Sequence, residues 1–195
     1  VAQFPEFIND AVDGLNYLKE LKKFYTNLDL DKIIIMGDSS GGYLASYLTA
    51  VAFDDELTEK LGIHKCELKP AMLAPFCGIY DVETLLEKNT LPLQLAEVTA
   101  ETFLGCDASE GIEKLKEYKY FDYVGPSAFV NENWCPMFIT WAEEDVLCID
   151  QGKPMADKLE ECGIKYKKFV VDGILNNHCY HLNMGFKTAK RCMNK

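Results

Sequence analysis

The chain has 195 residues, 48% of them hydrophobic, which suits one domain with a sizeable core and excludes a disordered tail. Lys and Arg number 20 against 31 Asp and Glu, and the resulting net charge of −11 repels phosphate backbones and anionic lipid, so no nucleic-acid partner is expected. Apolar runs such as 33–36 and 137–142 fall far short of the roughly 20 residues of a spanning helix, so no membrane span is expected.

Ile8, Val12, Leu15, Leu18 and Leu21 recur at three and four residues, the stripe of an amphipathic helix running to about residue 24. Residues 32–36 are a short β-branched run between Asp31 and Gly37, which predicts a strand buried on both faces. A helix over 41–52 follows, and the acidic run at 54–56 reads as a solvated turn. Residues 70–76 and 137–141 predict the next two buried strands. The stretch 81–129 between them is too long for one crossover and holds helical pieces at 93–104 and 110–118, so it predicts a cap-like helical insertion over the sheet. A helix over 151–162 stops at Gly163, a fourth strand runs over 165–171, and a helix over 184–193 closes the chain. Strand alternating with helix implies an α/β fold with a mostly parallel sheet, in a single domain over 1–195.

Eight cysteines stand at 66, 77, 106, 135, 148, 162, 179 and 192, with no CxxC pair to suggest a zinc knuckle or a thioredoxin-type motif. Most of them read as reduced, buried thiols, and a cytoplasmic setting is the expectation. The sequence opens at Val1 without a basic and apolar leader, so a targeting signal is either absent or was lost with an upstream segment.

Gly37, Asp38, Ser39, Ser40, Gly41 and Gly42 follow a predicted strand directly and open a helix, the context in which a GxSxG pattern has chemical meaning. Small residues two before and two after Ser39 let strand and helix approach and push its hydroxyl out at the helix N-terminus. There the N–H of Ser40 points at a developing oxyanion. The competing reading is a phosphate-binding turn, which lacks support from a GxGxxG motif or a P-loop lysine.

A serine nucleophile requires a base and an orienting acid, in this fold class in the order serine, acid, histidine. Of three histidines, His64 lies in a charged connection and reads as a surface residue. His178 and His181 follow the last strand, where a loop can return an imidazole to the carboxyl edge of the sheet, and either can be the base. Their spacing, with Cys179 and Cys192 nearby, also suggests metal ligation, but no second ligand pair accompanies them and no metal is expected. Glu143, Glu144, Asp145 and Asp150 follow the third strand; Asp145 is placed to reach a histidine from the neighbouring loop.

These residues resemble the hormone-sensitive-lipase-like esterases and lipases of the α/β-hydrolase fold across nearly the whole chain. Residues 37–42 (GDSSGG) are similar to that family's GDSAGG elbow, 136–152 (PMFITWAEEDVLCIDQG) to its strand, acid loop and helix start, and 177–182 (NHCYHL) to its HGF segment, with Cys179 in place of the glycine. The resemblance implies Ser39 as nucleophile, Asp145 as acid, His178 as base with His181 as the alternative, the Ser40 N–H in the oxyanion hole, and no cofactor. The family's HGGG loop is missing before Ser39. By analogy the first strands of the sheet are missing too, so the chain looks like the C-terminal part of a longer hydrolase, paired with an N-terminal segment or with another chain.

The implied activity is a serine esterase acting on small-molecule carboxylic esters through an acyl-enzyme, with Leu85, Leu86, Leu93, Leu95, Phe103 and Leu104 available to line an acyl pocket. An amidase or peptidase would use the same triad. A hydrolase-like binding module that turns nothing over is the alternative of another class, favoured by the missing HGGG loop.

Overall fold

The structure, a computed structural model, describes residues 2–88, 100–105, 115–173 and 175–195. Four strands, β1 (Ile34–Asp38), β2 (Met72–Phe76), β3 (Met137–Ala142) and β4 (Tyr166–Val171), pair in parallel in the order β1-β2-β3-β4. Among the described residues the α-helices are α1 (Glu6–Asn16), α2 (Leu18–Leu21), α3 (Ser40–Phe53), α4 (Asp55–Leu61), α5 (Val82–Lys88), α6 (Gly152–Glu161) and α7 (Lys187–Met193). Asp38 stands beside Phe76, and Phe76 beside Thr140, so the carboxyl ends of the first three strands form one row.

Each strand adds on the same side of its predecessor, and right-handed crossovers then place the described crossover helices on one face of the sheet. That face carries the main core. Ile8, Val12 and Leu15 of α1, Tyr43, Tyr47 and Val51 of α3, and Met155 and Leu159 of α6 bury against Leu73, Met137, Ile139 and Trp141 of the strands.

The opposite face must be covered by something other than a crossover. After β4 the chain turns back, and α7 with Tyr180 covers Phe76, Phe138, Ala142 and Val171. Cys192 Sγ lies 3.8 Å from Thr140 Oγ1, and the Arg191 guanidinium lies 5.8 Å from the Phe169 ring, which places α7 over β3 and β4. On this face nothing among the described residues covers β1, with Ile34 59% and Met36 58% exposed. The expectation of a first strand buried on both faces is therefore corrected, because no crossover in this topology reaches that side.

Two local expectations also change. The first helix breaks at Tyr17, leaving α1 and the short α2. The acidic run is no turn: Asp54 caps α4, its Oδ1 accepting the Leu57 N–H at 2.9 Å, with Asp55 and Glu56 in the first turn beside the positive end of the helix dipole.

Of the insertion at 81–129, residues 89–99 and 106–114 lie outside the described residues, and with them most of both expected helical pieces. The described part is α5, a π-helical turn (Ala100–Leu104) and two 3-10 turns (Phe121–Tyr123 and Pro126–Phe129). It is tied to the helical layer where Tyr43 donates to Val124 O at 2.9 Å and Tyr118 to Phe4 O at 2.9 Å. Among the described residues seven cysteines are free, and no helix is long and apolar enough to cross a membrane.

Candidate active site

Ser39 occupies the single position between β1 and α3, with φ 55° and ψ −120°. A non-glycine residue held there costs roughly 1–3 kcal/mol, and the surroundings must enforce it. They do so by close approach. A Cβ on Gly37 would stand 2.3 Å from Gly41 O, and one on Gly42 would stand 2.8 Å from Gly78 Cα. The steric demand for glycine thus falls on positions 37 and 42, while a Cβ at Gly41 meets nothing within 4 Å. Ser39 N–H donates to Phe76 O at 2.9 Å, which stitches the turn to β2. As the first residue of α3, Ser40 has no preceding helical carbonyl to bond, and its N–H is a donor at the positive end of the dipole.

The loops after β3 and β4 meet this turn at the carboxyl edge of the sheet. His178 Nε2 lies 2.8 Å from Ser39 Oγ, and His178 Nδ1 lies 2.9 Å from Asp145 Oδ2 and 3.1 Å from Oδ1. The Asp145 side chain is 3% exposed and the His178 side chain 14%. Asp145 Oδ1 also accepts the N–H groups of Leu147 and Cys148, each at 2.9 Å, so the buried carboxylate is held in one orientation. Burial draws the His178 pKa down, but hydrogen bonds to Asp145 and Cys179 and the Asp145 charge outweigh it and push it up to about 9.

The other sequence candidates are placed elsewhere. The alternative base, His181, is buried with its ring 4.6 Å from the Phe76 ring; its Nδ1 has no partner among the described residues, and burial lowers its pKa. His64 is exposed, with Nδ1 2.7 Å from Asp13. Glu143 and Glu144 are exposed, and Asp150 pairs with Lys88 at 2.6 Å. Among the described residues His178, His181, Cys179 and Cys192 form no common ligand cluster. Leu85 and Phe103 line a wholly apolar cavity of about 80 Å³ beside Ser40, with Tyr43, Ile79 and Val82. Leu104 is buried in the main core and Leu86 packs against it, while Leu93 and Leu95 lie outside the described residues.

Sequence reasoning missed the residues that hold the two loops together. Asn177 Oδ1 accepts the His178 N–H at 2.7 Å and the Val146 N–H at 3.2 Å, joining the histidine loop to the acid loop. Tyr180 bonds Thr140 of β3 in the interior, and Thr140 Oγ1 donates to Phe169 O at 2.5 Å. An Asn directly before the histidine was the one visible signal, since Asn in loops commonly bonds nearby backbone.

A parallel sheet bearing a strained serine turn at its carboxyl edge, met by a histidine and an acid from later loops, defines the α/β-hydrolase class. The chain belongs to the BD-FAE family, an α/β-hydrolase esterase/lipase-like family whose model matches residues 1–159. Comparison with curated proteins by sequence gives no match. Among solved structures it is similar to esterase B from Lactobacillus rhamnosis, at TM-score 0.75 and 18% identity over 96% of this chain and 58% of that one. It is also similar to the carboxylesterase Cest-2923 from Lactobacillus plantarum, at TM-score 0.70 and 12% identity over 93% and 58% of the two chains. An acetyl ester-xyloside bifunctional hydrolase from Caldicellulosiruptor lactoaceticus matches at TM-score 0.70 and 16% identity over 99% and 64%. The chain thus spans a little over half the length of the first two.

Proposed function

We propose that the chain carries the reacting half of a carboxylic ester hydrolase. Ser39 Oγ attacks the ester carbonyl while His178 Nε2 takes its proton; the imidazolium, held by Asp145, then protonates the departing alkoxide. Water repeats the sequence on the acyl-enzyme, returning the proton to Ser39 and releasing the acid. The Ser40 N–H supports the oxyanion of both tetrahedral intermediates. No cofactor takes part.

The observation behind this reading is the 2.8 Å contact of His178 Nε2 with Ser39 Oγ, made by a ring whose Nδ1 rests on a buried carboxylate. Family membership and the esterase names of the neighbours agree with it. The apolar cavity beside Ser40, which Val82, Leu85 and Phe103 help to line, would take a short acyl or alcohol group. Hydrolysis of a short-chain p-nitrophenyl ester tests the reading: it should disappear in Ser39→Ala, and turnover near that of the unchanged chain would end it.

The exposed, apolar β1 is the second part of the proposal. Its outer edge would accept a further parallel strand from a longer polypeptide, as the extra length of the neighbours suggests, and a second copy of the chain would be the substitute partner.

A further inference from the structure

Cys148 follows Asp145 by three residues and is 7% exposed. Its backbone N–H serves Asp145, but its thiol makes no hydrogen bond among the described residues. A ligand atom from each of Asp145, Cys148 and His178 lies within 4.8 Å of the others. Carboxylate, thiolate and imidazole together are a zinc donor set, and at zinc bond lengths with tetrahedral angles such atoms stand about 3.4–3.6 Å apart. Asp145 Oδ2 and His178 Nδ1, now 2.9 Å apart, need to separate only slightly to admit an ion.

We propose that Zn²⁺, or the more thiophilic Cd²⁺, binds to Asp145, Cys148 and His178 Nδ1 and switches the site off. The cation displaces two protons: the Cys148 thiol proton goes to solvent as the metal–sulfur bond forms, and the His178 Nδ1 proton leaves as the metal–nitrogen bond forms, moving to Nε2 of a neutral ring or to solvent from the imidazolium. An imidazole bound to metal through Nδ1 keeps its one remaining proton on Nε2. That nitrogen faces Ser39 Oγ and becomes a donor, so it cannot take the serine proton. The ligand set is distinct from the His178 and His181 pair suggested by spacing. The loss of activity rests on the hydrolase reading above, whereas the binding does not.

The test uses the reduced, metal-free 195-residue chain and its Cys148→Val and Cys148→Ser variants, each checked for an unchanged thermal melt. Cadmium titration is followed by the ultraviolet thiolate-to-metal charge-transfer band, and zinc stoichiometry by calorimetry. Both variants should lose one equivalent of tight binding, with affinity at that site at least tenfold weaker. Cys179→Ala should retain it. Zinc should inhibit ester hydrolysis by the unchanged chain, reversibly with EDTA, and inhibit the Cys148 variants at least tenfold less strongly relative to each one's own zinc-free rate. Identical cadmium spectra and zinc stoichiometry in all chains would overturn the site. Binding that depends on Cys148 without inhibition of an active chain would overturn the switch. Should one variant fail to fold, the other decides; should no chain hydrolyse ester, the cadmium difference still decides the site.

Discussion

Ser39 has two unlike sides. Toward β3 and β4, Asp145, His178, Asn177 and the buried Thr140–Tyr180 pair interlock through hydrogen bonds, and α7 covers the sheet. Toward the free edge, β1 presents Ile34 and Met36 to solvent with no covering helix among the described residues. The sheet's two edges differ in the same way, since β4 exposes Lys167 and Lys168, charges that discourage edge pairing, and β1 exposes apolar side chains that invite it. On the hydrolase reading, proton transfer belongs to the finished side. What the open side should add, on the hydrolase reading, is further stabilisation of the oxyanion.

The largest expected effects break the finished side. Ser39→Ala should lower kcat/KM for a p-nitrophenyl ester by on the order of 10⁵-fold or more, and His178→Ala by a similar factor, because these residues act as a unit. His181→Ala should cost thermal stability with far less effect on rate, since its ring packs against Phe76. Asp145→Asn should cost roughly 10⁴-fold, less than loss of the nucleophile or base, because the acid orients without entering the covalent step. The pH profile sharpens this. Turnover requires neutral His178, so the rate should rise with pH toward about 9. Removing the carboxylate that stabilises the imidazolium should move that limb to lower pH in Asp145→Asn. A limb that stays in place would contradict the assignment of His178 as base.

Smaller effects probe the join and the open edge. Asn177→Ala frees the His178 and Val146 N–H groups and should cost roughly tenfold to a hundredfold in kcat by loosening the ring's aim, with KM little changed. On the open side, Ile34→Lys with Met36→Lys should leave the residual rate nearly unchanged. In size-exclusion chromatography the unchanged chain should elute as an associated species and the double variant as a monomer. A monodisperse, fully active unchanged monomer would remove the case for a missing partner strand.

What was legible in the sequence follows the same division. The turn at 37–42 is readable because Gly37 and Gly42 answer local steric demands, and the order of serine, acid and histidine survives as chain order. The choice between His178 and His181 is not local. It depends on which ring Phe76 covers and on the Asn177 bridge, contacts made across strands far apart in sequence. The burial of β1 was misread for a topological reason: an apolar run predicts two covered faces only when something crosses both, and monotonic strand order places every crossover on one. The α4 cap, by contrast, was written locally in Asp54 and the acidic first turn, and was overlooked because a charged run also suits a loop.

The most direct test of the central claim, that Ser39 is a serine activated by His178, is labelling with a fluorophosphonate followed by peptide mass spectrometry. The account predicts one phosphonate per chain, on the peptide containing Ser39, with none in Ser39→Ala and strongly slowed labelling in His178→Ala. Labelling that persists in Ser39→Ala, or a chain that takes no label at all, would contradict it.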